Sequence, residues 1–271
     1  MAENGFATGI HSAPMSVPLS VCIITKDEAA RLPACLASVD FADEILVVDC
    51  GSEDETVAVA EAAGARVIHQ DWLGYGPQKQ FAVERASHDW VLCLDADERV
   101  SEPLKTNLLA ALRQIEHGGT AGFAFPRRNR FLGRYLAHGE GYPDWSLRLF
   151  DRRRGRWSAD PVHEGVRLNG PCKRLSGDLL HESQESLERY LQKQNRYTSL
   201  QARQWFERGK RAGALRLWLS PLLRFFKFYV LRLGFLDGVP GFVHIAIGCQ
   251  NSFLKYAKLR ELTAGRSGGV D

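Results

Sequence analysis

Three carboxylates fall within four residues at Asp95-Ala96-Asp97-Glu98, directly after the apolar run Trp90-Val91-Leu92-Cys93-Leu94. Alternate residues of a strand face the same side, so an extended chain through this stretch projects Asp95 and Asp97 together. Two carboxylates held that close repel each other unless a cation sits between them. Hard divalent cations such as Mg²⁺ or Mn²⁺ take oxygen ligands, often one or two carboxylates together with substrate phosphates. The competing reading is structural: an acidic loop closing a buried strand, with Glu98 and Arg99 opening the next helix. Asp27 and Asp49 also follow short apolar runs, so an acidic strand end recurs along the chain.

The elements that must carry these residues alternate. Apolar, β-rich runs occupy 19–25, 44–49, 65–69 and 122–125, besides the run before Asp95. Helical spacing links Leu32, Leu36 and Val39, then Val57, Ala60 and Ala63 up to Gly64. It returns from Pro77 to Ala86, and again through Leu104, Leu108, Ala111 and Ile115 as far as Gly118-Gly119. Strand alternating with helix predicts βαβ units and a mostly parallel sheet. Ligands of such sheets sit outside the carboxyl ends of the strands, where Asp27, Asp49, Asp95 and Asp97 all fall. No G-x-G-x-x-G follows the first run and no G-x-x-x-x-G-K is present, which argues against a dehydrogenase or a P-loop ATPase.

The bulk numbers narrow the class. With 45% hydrophobic and 25% charged residues, the 271-residue chain is an ordinary globular protein. A net charge of +3 is too small to imply nucleic acid as a partner. Arginines are nonetheless dense at 127, 128, 130 and 134 and at 152, 153, 154 and 156. They are expected to meet a phosphorylated glycolipid or anionic headgroups. Six scattered cysteines without a C-x-x-C pair read as reduced core thiols of a cytoplasmic protein. The first residues lack the basic start and apolar core of a secretory signal, so 1–17 is expected to be a flexible leader.

Ser20-Val-Cys-Ile-Ile-Thr-Lys-Asp-Glu28, Ile45-Leu-Val-Val-Asp-Cys-Gly-Ser52 and Leu94-Asp-Ala-Asp-Glu98 resemble the successive motifs of family 2 glycosyltransferases with the GT-A fold. Gly76-Pro-Gln-Lys-Gln80, Tyr142-Pro-Asp-Trp-Ser-Leu-Arg-Leu-Phe150 and Val162-His-Glu164 narrow the resemblance to the lipopolysaccharide core β-glucosyltransferase subgroup. Cys50 departs from the Ser or Asn of many relatives. The resemblance implies an α/β fold: a Rossmann-like, mostly parallel nucleotide-binding sheet followed by a helical C-terminal region. It implies that Thr25, Glu28, Asp49, Lys79, Asp95 and Arg148 bind a nucleotide sugar, UDP-glucose foremost. Asp97, Asp95 and His163 would hold Mg²⁺ or Mn²⁺. An inverting transfer needs one general base, for which Glu164 ranks ahead of Asp144.

The expected organisation is a catalytic domain over 18–185, divided into a donor half (18–125) and an acceptor half (126–185), then a helical region over 186–271. In that last region Ser220 and Pro221 read as the cap and first position of a helix stopped by Gly234, with a second helix over 242–258. At 100° per residue Arg224, Lys227 and Arg232 share a sector of roughly 140°, with apolar residues around the rest. Such a helix suits the headgroup layer of the inner membrane, cations toward the phosphates. The expected protein is thus cytoplasmic and peripheral on the cytoplasmic face, transferring a hexose to a lipid-linked saccharide such as the lipopolysaccharide inner core. Two other readings compete. One is a haloacid-dehalogenase-type phosphohydrolase, with the first Asp of D-x-D as nucleophile; the other is a non-catalytic lipid-binding scaffold.

Overall fold

The computed structural model describes residues 17–115, 119–160, 164–183 and 186–267. The expected leader therefore lies almost wholly outside the described residues, and so does His163. Four strands make the parallel part of the sheet: β1 (Leu19–Thr25), β2 (Glu44–Asp49), β3 (Arg66–His69) and β4 (Trp90–Asp95). Every residue of β1 is buried. Its alternate side chains feed two separate cores, as in a sheet covered on both faces. Leu19, Val21 and Ile23 pack with Leu32 and Leu36 of α1 (Leu32–Ala37). Cys22 and Ile24 pack with Ala82 and Val83 of the helix that precedes β4.

Helices α2 (Thr56–Ala62) and α3 (Tyr75–Arg85) complete the crossovers, and Gly64, at a φ of +79°, turns the chain out of α2. After β4 the chain makes a turn at Ala96-Asp97 and enters β5 (Glu98–Val100), so Glu98 and Arg99 open a strand and not a helix. Helix α4 (Glu102–Arg113) follows, capped by Ser101. The second half adds β6 (Gly122–Phe131), β7 (Arg134–Tyr135), β8 (Asp144–Asp151), β9 (Gly155–Trp157), β10 (Val166–Leu168), β11 (Cys172–Arg174) and β12 (Leu179–His181). The sheet order is β3-β2-β1-β4-β8-β6-β12-β5, with β7 and β11 also paired to β6. From β1 the chain runs outward to β2 and β3, then returns to lay β4 on the other side of β1. That reversal opens a crevice between the carboxyl ends of β1 and β4.

Three helices end the chain: α5 (Leu187–Glu207), α6 (Ala214–Phe225) and α7 (Gly238–Ser267). A π-helical turn over Phe226–Leu231 extends α6, and a 3₁₀ turn over Gly234–Asp237 leads into α7. Ser220 and Pro221 do not start a helix. Pro221 lies inside α6, where Ser220 Oγ meets Ser252 Oγ of α7 at 2.5 Å. Packing against α7 outweighs the backbone bond that the proline deletes. Nor is Gly234 a helix stop. The left-handed residue is Leu233, and a Cβ on Gly234 would meet Phe228 O at 2.6 Å, so close packing requires the glycine.

Candidate active site

Strand register brings the predicted residues together. Thr25 pairs with Asp49, and Ile24 with Asp95, so the ends of β1, β2 and β4 form one rim. The loops beyond β1 and β2 are laced to each other. Asp27 N donates to Ser52 Oγ (2.9 Å), Glu53 N to Asp27 Oδ1 (2.8 Å) and Glu28 N to Thr56 Oγ1 (2.7 Å). Asp49 is buried and organises its own turn, one oxygen accepting from Gly51 N and Ser52 N at 2.9 Å each. The hydroxyl of Thr25 is buried beside it with no hydrogen-bond partner among the described residues. Glu28 pairs with Arg31, yet burial raises its pKa above the ordinary carboxylate value.

The turn at Ala96-Asp97 breaks the extended path between Asp95 and Asp97, and the two carboxylates pair with different residues. The chain's own cations relieve the expected repulsion. Lys79 Nζ lies 2.9 Å from Asp95 Oδ1, and Arg148 Nη2 donates to Asp95 Oδ2 at 3.3 Å. Burial alone would raise the Asp95 pKa, but the two cations hold it well below the usual range. Behind Arg148 stands Glu98, fully buried, accepting from Arg148 Nη2 (2.9 Å) and from Asp95 N (3.0 Å). Burial works against the charge on Arg148, yet Glu98 and Asp95 raise its pKa further. Its Nη1 is buried and unpartnered, an unused donor at the edge of the site.

The segment Gly76-Pro-Gln-Lys-Gln80 explains how Lys79 arrives there. Gly76 lets α3 approach Ser158, whose carbonyl oxygen would lie 1.9 Å from any added Cβ. Gln78 accepts from Leu73 N and donates to Gln70 O, fixing the loop before the helix. Gln80 Oε1 accepts from Trp157 N at 2.8 Å and clamps β9. Lys79 Nζ then sits 4.9 Å from the Trp157 ring centroid, and the Arg148 guanidinium 5.4 Å from it, both within cation–π range.

Beside this cluster opens a cavity of about 500 Å³, lined by Lys79, Arg127, Asp144, Arg148, Trp157 and Glu164 among others. Its two carboxylates differ. Asp144 accepts from Arg127 at 2.8 and 3.0 Å, whereas among the described residues the cation that Glu164 meets is Lys79, at 4.0 Å.

Asp97 faces His181, with Oδ2 3.2 Å from Nε2. The other ring nitrogen, Nδ1, is 2.7 Å from Asn129 Oδ1. With the Nδ1 proton donated to that oxygen, a neutral His181 turns a lone pair toward a carboxylate. Two acceptors at that distance call for a proton or a metal ion between them. The donor set fits Mg²⁺ or Mn²⁺ completed by phosphate oxygens, although no group of three metal-binding side chains occurs among the described residues.

Residues outside the sequence expectation matter as much as those within it. Glu98 was visible as a third carboxylate but not as the counter-ion of Arg148. Arg127 was visible only as one of a dense run of arginines, and nothing local marks His181, which tertiary pairing delivers. Conversely, the expected basic cluster is divided between two ends of the sheet, and its members pair with the chain's own acceptors. Arg128 pairs with Asp178, Arg130 with Glu182, and Arg134 donates to Leu236 O. At the opposite end of the sheet Arg152 donates to Ala86 O, Arg153 pairs with Asp151, Arg154 donates to Asn169 O, and Arg156 lies 3.6 Å from Glu84. Of the eight, only Arg127 lines the cavity.

Comparison with known proteins gives the chain its relatives. The family model described as glycosyl transferase family 2 matches residues 20–174. The lipopolysaccharide core biosynthesis glycosyltransferase LpsC of Rhizobium meliloti is 34% identical over 253 residues, covering 90% of this chain and 92% of the relative. An uncharacterized glycosyltransferase of Rickettsia felis is 33% identical, covering 90% and 89%. Among solved structures, glucosyl-3-phosphoglycerate synthase of Mycobacterium tuberculosis in complex with Mg²⁺ and uridine diphosphate aligns with a TM-score of 0.47 at 17% identity, over 73% of this chain and 81% of that one.

Proposed function

The chain belongs to glycosyl transferase family 2, and on that premise we propose that it moves a hexose from a nucleotide diphosphate sugar to a lipid-linked saccharide. In this reading the donor is UDP-glucose and the acceptor the inner core of lipopolysaccharide; the name and coverage of the Rhizobium relative support the lipopolysaccharide core as the acceptor class. The protein acts at the cytoplasmic face of the inner membrane, where nucleotide sugars and lipid-linked acceptors meet. Family membership sets aside the phosphohydrolase and the non-catalytic scaffold.

The observation that carries the reading is the meeting, at the sheet's reversal point, of strand-end carboxylates, two buried cations and a cavity holding one carboxylate without an arginine partner. Thr25, Glu28 and Asp49 frame the nucleoside, and the unpartnered Thr25 hydroxyl is a free hydrogen-bonding group there. Lys79 and Arg148 face the diphosphate, with Asp95 between them fixing their positions beside the ribose. Asp97 and His181 would hold Mg²⁺ or Mn²⁺, which supplies Lewis-acid stabilisation of the leaving diphosphate.

Glu164 takes the proton of the acceptor hydroxyl as its oxygen bonds to the anomeric carbon from the face opposite the diphosphate. The bond from that carbon to the phosphate oxygen breaks, and its electron pair leaves with the diphosphate. Lys79 and the spare donor of Arg148 meet the charge that grows there, a contribution that strengthens toward the transition state. Asp144, held by Arg127, orients acceptor hydroxyls.

Calorimetry with UDP and Mn²⁺ tests the donor side. The wild type is expected to bind UDP more tightly with the metal, and Asp97→Ala to lose that increment. Metal-independent binding, or an unchanged Asp97→Ala, contradicts the assignment.

A further inference from the structure

Sequence periodicity leads to one amphipathic helix lying flat, but α6, its π-helical extension and α7 form something different. The two arms, Ala214–Leu231 and Gly234–Ala264, meet at a bend of 74°, and no single helix among the described residues is long and apolar enough to cross a membrane. Apolar side chains crowd the outside of the bend. Leu231 is 65% exposed and Val239 72%, with Leu233, Phe235, Leu236 and Phe242 exposed around them. On the α6 arm Trp218 is 70% exposed and Leu222 65%. A continuous apolar face of this kind marks a binding surface rather than a solvated one.

The charge pattern names the occupant. From Arg208 to Arg260 the chain carries ten Lys or Arg and one acidic residue, Asp237, which is buried. A second copy of the chain on this face would bring like charges together, whereas a layer of lipid phosphates would neutralise them. Not every cation faces outward: Arg224, expected among the headgroups, turns inward to pair with Glu140. Lys227 and Arg232 remain exposed beside the apolar bend.

We infer that the α6–α7 bend is a wedge that enters one leaflet of an anionic bilayer, with Leu231, Leu233, Phe235, Leu236, Val239 and Phe242 at acyl-chain depth and Lys227, Arg232 and Arg216 at the phosphates. The wedge is rigidly tied to the catalytic half. The Asp237 carboxylate accepts from Ala137 N (3.0 Å) and His138 N (2.8 Å), and Gly139 N donates to Arg232 O (2.9 Å). Insertion therefore orients the loop that leads directly to Asp144 at the cavity. The choice of membrane rests on the proposed function; the insertion itself does not, and its test involves no sugar transfer.

The full-length protein is floated with vesicles of phosphatidylethanolamine and phosphatidylglycerol, in parallel with vesicles of phosphatidylcholine alone. The wild type is expected to float with the anionic vesicles, and Leu231→Asp/Val239→Asp to bind them at least about tenfold more weakly. Tryptophan placed at 239 (Val239→Trp) is expected to show additional fluorescence quenching by acyl-brominated lipid. Equal flotation of wild type and double variant overturns the proposal, as does an added tryptophan that brominated lipid leaves unquenched. Concentration-dependent dimerisation without flotation, abolished by the double variant, also overturns it and assigns the face to a second copy. Circular dichroism of the double variant, expected to match the wild type, separates lost insertion from lost folding.

Discussion

Glu164 and Asp144 line one cavity as chemically similar side chains, and a guanidinium makes them different. Arg127 occupies the oxygens of Asp144, so the hydrogen-bond capacity left for an acceptor proton resides in Glu164. Glu164→Gln is expected to keep UDP affinity while lowering transfer by about 100-fold or more. Asp144→Asn is expected to raise the KM for the acceptor and to leave measurable turnover. Abolished turnover in Asp144→Asn reverses the ranking. Glu98 makes a second residue-scale prediction. Replacing it by Gln strands Arg148 without its nearest buried counter-charge, at a cost on the order of 3 kcal/mol by denaturant unfolding. Glu44, at the opposite end of the sheet, makes a third. Burial opposes its ionisation, but hydrogen bonds from Ser20, Ser87 and Arg66 outweigh that and lower its pKa from 4.5 to about 2. A carboxylate depressed in the folded state contributes stability above its unfolded pKa and loses it as pH falls toward the folded value. Between pH 4.5 and about 2 the wild type is expected to lose about 1 to 3 kcal/mol that Glu44→Gln does not.

At the scale of elements, α3 and β9 behave as one part. Their contact depends on Gly76, since a Cβ there would meet the Ser158 carbonyl and lie 3.4 Å from the Glu164 Cβ. Backbone oxygen cannot swing aside as a flexible side chain can. Gly76→Ala is therefore expected to destabilise by at least about 2 kcal/mol and to displace Glu164 from Lys79. The measurement is a paired one: a fall in unfolding midpoint with a larger proportional fall in transfer than in UDP binding. The sequence placed α3 and the sheet strands within a few residues, because their apolar spacing is local. It misread α6, because the contact of Ser220 with Ser252 that keeps Pro221 inside a helix comes from a distant segment.

For the whole molecule, the sheet and the helical hairpin are joined at several points, of which the buried Asp237 carboxylate accepts the most backbone hydrogen bonds. Asp237→Ala removes the acceptor of the half-buried N–H groups of Ala137 and His138, at about 0.5 to 1.5 kcal/mol each. Hydrogen exchange is expected to rise over 132–141 and 231–241 together, while the parallel strands keep their protection. Faster exchange in the hairpin alone would mean that the two halves do not share the Asp237 contact.

Run length and alternation of apolar residues were enough to determine the parallel strands and the rim position of Asp49 and Asp95, and the motifs at their ends carried a family resemblance that the comparisons bear out. These features are written in neighbouring residues, where covalent geometry fixes which side chains share a face. Only the tertiary structure decided which charge each carboxylate meets: Lys79 and Arg148 for Asp95, His181 for Asp97, Arg127 for Asp144. It also dispersed an arginine cluster that looked continuous in sequence. Ion pairing depends on strand order, and strand order joins segments whose separation along the chain leaves no local trace.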